Sequence, residues 1–165
     1  MEINSPEKET EYKPSFDEKG NLILKKKSNI KQGKKSKAKG GTFELLVRKN
    51  LEEKNWIVDK WTNNLDLDTQ RIIPAKRKFN PFNKVMTIGT GFPDFIAFQN
   101  SNDKYDLIGV EVKVNGTLSK EEKEKCKVYL EKKVFREILI AKKKKEKNKI
   151  YVEYINFEEI KKRMR

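Results

Sequence analysis

At 165 residues, 35% of them hydrophobic, the chain can bury one modest core and must leave tails outside it. The absence of histidine and the single cysteine exclude zinc–histidine sites, histidine general bases and a disulfide framework, and fit a reducing cytoplasm. The net charge of +14 points to a polyanionic partner, and no apolar run is long enough for a membrane span or signal peptide. A soluble, cytoplasmic protein with no membrane partner is expected.

In chain order, residues 1–39 read as a basic, flexible arm, with a short hairpin around Phe16 to Leu24. Lys25 to Lys39 holds eight lysines and no acid. Such a run is disordered or loosely ordered, and its natural partner is a phosphate backbone. Lys34, Lys35, Lys37 and Lys39 are its nucleic-acid-binding candidates. A solvated lysine surface, an AT-rich genome or a thermophile's lysine and glutamate enrichment would also produce many lysines, but less easily an acid-free run. Residues 40–165 form the folded domain. Thr42 to Lys54 has the spacing of an amphipathic helix, with Thr42 as N-cap, Asn55 just past the end, and Phe43, Leu46, Val47 and Leu51 as its core stripe. At about 100° per residue Glu44 falls on the edge of that stripe, where a first-turn glutamate is also favoured by the helix dipole.

A strand from Trp56 to Trp61 comes next, then a long polar connection from Thr62 to about Asn83, longer than ordinary loops. Within it Arg71, Lys76, Arg77 and Lys78 run into Phe79 and Phe82. Basic residues interleaved with aromatics suit backbone contact plus stacking on an unpaired base, so Arg77 and Lys78 join the nucleic-acid-binding candidates. Short runs rich in branched and aromatic residues predict strands at Val85–Ile88, Phe95–Phe98 and Leu107–Val114. Ser119 to Lys133 predicts a helix in which Ser119 and Glu122 form a capping box and Cys126 is a small core residue. Strands at Ile138–Ala141 and Ile150–Ile155 flank a basic hairpin loop, Lys142 to Lys149, and a short basic helix ends the chain. Alternating strands and helices with an internal hairpin predict an α/β fold, a mixed central sheet flanked by helices.

The chemistry concentrates at Pro93-Asp94 and, seventeen residues after Asp94, Glu111-Val112-Lys113. Asp94 opens one predicted strand and Glu111 ends the apolar run of the next. Alternate side chains on a strand share a face, so Glu111 and Lys113 point one way and Val112 and Val114 point into the core. Hydrolysis of a phosphodiester needs a cation to neutralise the phosphate and to make hydroxide near neutral pH. Mg²⁺ takes hard oxygen ligands, one or two carboxylates plus water, so Asp94 and Glu111 with the Val112 carbonyl are metal candidates. Lys113 would hold the attacking water or balance developing charge. The competing structural reading makes Asp94 a turn residue after proline and Glu111 and Lys113 an exposed charged face.

These residues resemble the PD-(D/E)XK nuclease superfamily, and within it the archaeal Holliday junction resolvases and VRR-NUC-type domains, over roughly Lys39 to Ala141. The resemblance implies a restriction-endonuclease-like α/β core, Mg²⁺ or Mn²⁺ as cofactor, and a catalytic set of Glu44, Asp94, Glu111 and Lys113. Glu122 stands where related nucleases often carry glutamine, and the cap reading is preferred for it. The long Thr62–Asn83 connection departs from the resolvase spacing. The implied function is a Mg²⁺-dependent endonuclease of DNA, branched or structured DNA in particular, with RNA as an open alternative substrate. Four-way-junction cleavage would further require a symmetric homodimer. The alternative is a nucleic-acid-binding protein without catalysis on the same fold.

Overall fold

Strands built on short runs of branched and aromatic residues form the centre of the molecule. The computed structural model describes residues 11–17, 21–80, 85–89 and 91–163, with the backbone alone at 16, 78–80 and 85–88. The chain divides into two units, Met1–Thr42 and Phe43–Arg165.

In the first unit β1 (Tyr12–Phe16) and β2 (Leu22–Lys26) pair antiparallel. The Asp17 carboxylate accepts from the backbone and side-chain amides of Asn21 at 2.8 and 3.0 Å. Helix α1 (Lys27–Glu52) follows without a break, so the lysine run read as a loose arm is helical from Lys27 onward. Thr42 is correspondingly not an N-cap: its hydroxyl donates to the Ala38 carbonyl at 2.9 Å, the bond of a mid-helix threonine. Lysine, alanine and glutamine are good helix formers, and no proline occurs between Pro14 and Pro74. Gly33, Gly40 and Gly41 each cost the helix up to about 1 kcal/mol, which weakens the sequence signal without ending the helix.

In the second unit, Phe43, Val47 and Leu51 of α1 are buried, and Asn55 just past its end takes the left-handed conformation (φ 64°). The chain then enters β3 (Ile57–Lys60). The connection predicted as polar loop over Thr62–Asn83 instead holds β4 (Asn63–Asp66) paired with β5 (Arg71–Pro74), and β6 (Arg77–Asn80), which pairs with β7 (Val85–Ile88), a strand at its predicted place. β4, β5 and β6 are four residues long and polar or proline-bearing, so period-two alternation is too brief to read in them. Leu65 and Ala75 are buried even so. Phe82 lies outside the described residues, as does the side chain of Phe79.

The sheet is completed by β8 (Phe95–Ser101), β9 (Lys104–Lys113), β10 (Glu137–Glu146) and β11 (Lys149–Asn156). Its order is β11-β10-β9-β8-β3, with β9 and β10 parallel and the other pairs antiparallel. The parallel pair is joined through α2 (Lys120–Glu131), and α3 (Phe157–Lys162) ends the described chain. This is a mixed α/β fold around a five-stranded mixed sheet, as the element pattern predicts. The basic cluster Lys142 to Lys149 is less a loop than strand: β10 and β11 run to a two-residue turn at Lys147-Asn148, both at positive φ.

The two faces of the sheet are covered differently. Phe43, Val47 and Leu51 pack with Val58, Phe95, Ala97, Ile108 and Val110 on one face. On the other, Cys126, Val128 and Tyr129 of α2 pack with Phe135, Ile138, Ile140 and Phe157. Val112 is half-buried on the α1 face, whereas Val114, predicted to point into the core, is 47% exposed because β9 ends at Lys113. Gly109 shows how tight the α2 face is, since a Cβ there would lie 2.8 Å from Pro93 Cγ and 3.2 Å from Phe135 Cδ2. Gly109→Ala is therefore expected to cost about 1–3 kcal/mol by overpacking, a Tm lower by several degrees in thermal unfolding. An unchanged Tm would mean that Pro93 yields freely. Among the described residues no helix is long and apolar enough to cross a membrane.

Candidate active site

Strand parity places the site. On β9, Ile108 and Val110 face α1, so Gly109, Glu111 and Lys113 face α2. Phe95 pairs with Val110 across β8 and β9, which sets Asp94 beside Glu111. The two acids interlock through the backbone: Asp94 N–H donates to Glu111 Oε2 at 3.1 Å, and Val112 N–H donates to Asp94 Oδ2 at 2.9 Å. The turn before Asp94 is pinned from several elements. Phe92 N–H donates to the Asn63 carbonyl at 2.9 Å, and the Tyr129 hydroxyl of α2 donates to the Phe92 carbonyl at 2.9 Å. Gly91 has to be glycine here, because a Cβ would lie 2.0 Å from the Trp61 carbonyl oxygen.

Lys113 lies between two carboxylates, its Nζ 2.9 Å from Glu111 Oε1 and 2.6 Å from Glu122 Oε1. Glu122 forms the predicted capping box as well, accepting from Ser119 N–H at 2.7 Å while Ser119 Oγ accepts from Glu122 N–H at 3.2 Å. One carboxylate thus both starts α2 and orients the lysine, a dual use that the cap reading alone missed. Glu44 reaches the same place from α1, its Oε2 3.0 Å from Lys60 Nζ. All of these except Lys60 line one cavity of about 450 Å³, together with Asn64, Glu121 and Lys125. Five carboxylates (Glu44, Asp94, Glu111, Glu121, Glu122) face two ammoniums there.

The electrostatics follow from burial. Glu111 is only 4% exposed, so the reading of an exposed charged face does not hold for it. Burial, with the neighbouring Asp94 charge, pushes its pKa up to about 8 against the pull of Lys113. Burial also raises Asp94, opposed by the Val112 N–H and abetted by Glu44. Glu122 moves the other way: burial works against its charge, but Lys113 and Ser119 hold it below the usual range. Lys113 is likewise raised despite burial, by Glu122 and Glu111. Cys126, beneath these acids, is pushed up by burial and by their charges, and is inert.

The structure therefore brings Glu44, Asp94, Glu111, Val112 and Lys113 to one cavity. Lys34, Lys35, Lys37 and Lys39 are exposed on α1 in the first unit and Arg77 is exposed on β6, and none of them is among the residues that line the cavity. The Lys78 side chain lies outside the described residues. As the side chains stand, no three carboxylates converge closely enough among the described residues to ring a cation. Lys113 fills the space between Glu111 and Glu122, and Lys60 engages Glu44. Asp94 and Glu111 still fit a hard divalent cation: they are interlocked carboxylates whose repulsion and burial a cation would relieve, and Mg²⁺ needs no more than two with water. Lys125, also missed, had a signal in the sequence, a lysine one turn before Tyr129 on the buried side of α2.

No family model, curated protein or solved structure matches this chain.

Proposed function

We propose that this chain is a metal-dependent endonuclease that hydrolyses DNA phosphodiester bonds on a restriction-endonuclease-like core of the PD-(D/E)XK type. The observation that carries the reading is the interlocked pair Asp94–Glu111, half to fully buried, beside an ammonium in a cavity where carboxylates outnumber lysines. Asp94 and Glu111, with the Val112 carbonyl, would hold Mg²⁺ or Mn²⁺. When bound, the cation supplies charge neutralisation at the phosphate and a hydroxide near neutral pH. Lys113, oriented by Glu122, donates to the attacking water and to the charge that develops on the phosphate. Glu44, on leaving Lys60, assists the metal or a substrate phosphate. Lys34, Lys35, Lys37, Lys39 and Arg77 supply affinity that depends on salt and not on sequence.

A panel of labelled duplex, single-stranded, flapped and four-way-junction DNA, with structured RNA, tests this. Metal-dependent cutting is expected, with a preference for branched DNA, and Asp94→Asn should reduce it at least about a hundredfold. A junction preference would further require a homodimer, checked by light scattering. One arrangement favours a second reading, a nucleic-acid-binding protein without catalysis: Lys113 already balances Glu111 and Glu122 without a metal. In that case Mg²⁺ at saturating concentration leaves Tm unchanged, whereas a working site gains about 2.7 kcal/mol at a hundredfold excess over Kd.

A further inference from the structure

We propose that Lys125 holds a phosphate of the nucleic-acid strand that enters the cavity, and that Glu121 is the partner it exchanges for that phosphate. The inference rests on the nuclease reading for its substrate and on separate observations for its site. Lys125 is 8% exposed, a burial that lysine almost never accepts unless firmly paired. Its pairing is not firm. Nζ lies 2.6 Å from Glu121 Oε1, one turn back on the same helix, and that side chain is 66% exposed. Among the described residues no second carboxylate pairs with it. An i,i+4 pair with one partner in water contributes only about 0.3–0.5 kcal/mol, too little to explain why this lysine lies against the cavity wall instead of in solvent.

The ammonium is 5.9 Å from the centre of the Phe92 ring, two residues before Asp94, and Tyr129, which pins the Phe92 carbonyl, is one turn further along α2. Both Lys125 and Glu121 line the cavity that Asp94, Glu111 and Lys113 line. Of the two ammoniums there, Lys113 is committed to two carboxylates, and Lys125 alone can change partner by releasing an acid to water. A phosphate oxygen makes the same kind of charge-assisted bond as the Glu121 carboxylate, and Glu121 regains full hydration on leaving, so the exchange costs little. The alternative is structural: the lysine stem covers Phe92 and the head snorkels to Glu121.

The two roles separate in a binding experiment on the full chain in EDTA, with a short fluorescein-labelled duplex as probe. Lys125→Met keeps the stem and is expected to weaken binding about tenfold. It should also lower the salt slope by roughly 0.7–0.9, the value of one lost phosphate contact. Glu121→Gln, which frees Lys125, is expected to tighten binding. The basic run on α1 is common to all variants and drops out of the ratios. Lys125→Met binding as wild type does, or Glu121→Gln weakening binding, would overturn the assignment. Because the assay needs neither metal nor hydrolysis, wild type that binds but never cuts sinks the nuclease reading and leaves Lys125 tested. Wild type that cuts, beside a Lys125→Met that binds unchanged, sinks the Lys125 assignment alone.

Discussion

In EDTA the protein is expected to become less stable as pH rises from about 4.5 to about 8, and Glu111→Gln is expected to remove most of that slope. Burial and the adjacent Asp94 hold the Glu111 pKa at about 8, against 4.5 in the unfolded chain. Between those values the folded protein keeps a proton that the unfolded chain has released. Unfolding free energy therefore falls with pH, by up to about 1.4 kcal/mol per unit of pH for one such group. Asp94, also raised, acts in the same direction. The other perturbed site groups lie outside this window. Glu122 is lowered, so its contribution is lost only as pH falls below the ordinary carboxylate range, and Lys113 is raised, so its contribution is lost only above the ordinary lysine range. For a chain of this size each kcal/mol is roughly 2–4 °C in Tm. Wild type at pH 8 should regain stability on addition of Mg²⁺ or Mn²⁺, which favours the ionised pair, and Glu111→Gln should respond little. A flat pH profile for wild type would mean that Glu111 is ionised in the fold and that the proposed pocket is wetter than its burial implies.

Removing the lysine should lower both stability and cleavage. Lys113→Met leaves Glu111 and Glu122 facing each other without the ammonium that lies 2.9 and 2.6 Å from them. Breaking a fully buried pair from one side costs about 3–5 kcal/mol; Lys113 is 27% exposed, so about 2–3 kcal/mol at pH 8 is expected here. Cleavage should fall by about a hundredfold to ten-thousandfold, because the donor to water and to the developing charge is gone. The double variant Lys113→Met with Glu111→Gln should recover much of the stability, since no uncompensated buried charge remains, and none of the activity. A double variant that recovers both would assign Lys113 a purely structural role, and a single variant that cuts normally would remove it from the mechanism.

Much of the fold was legible because its signals are local. Short runs of branched and aromatic residues at Phe95–Phe98 and Leu107–Val110 mark the central strands, and strand parity puts Glu111 and Lys113 on one face. The 3.6-residue spacing of Phe43, Val47 and Leu51 marked the buried side of α1, and Ser119 with Glu122 marked the start of α2. Where local signals conflicted, reading failed. The glycines of the lysine run hide a helix that starts at Lys27, and the short polar or proline-bearing strands β4, β5 and β6 read as loop.

The residue types available for chemistry and the parity that pairs them are written in the chain: no histidine, an Asp and a Glu-x-Lys on neighbouring strands, and an acid-free basic run. The environment those residues meet comes from packing between distant segments. That Glu111 is buried, that Lys113 is shared with Glu122, and that Lys125 lies by Phe92 on the wall of the same cavity all depend on α2 covering this face of the sheet. Strand parity and helix periodicity are properties of consecutive residues. Burial, and the pKa values that follow from it, belong to contacts between residues far apart in the chain, and those exist only once the sheet has been covered.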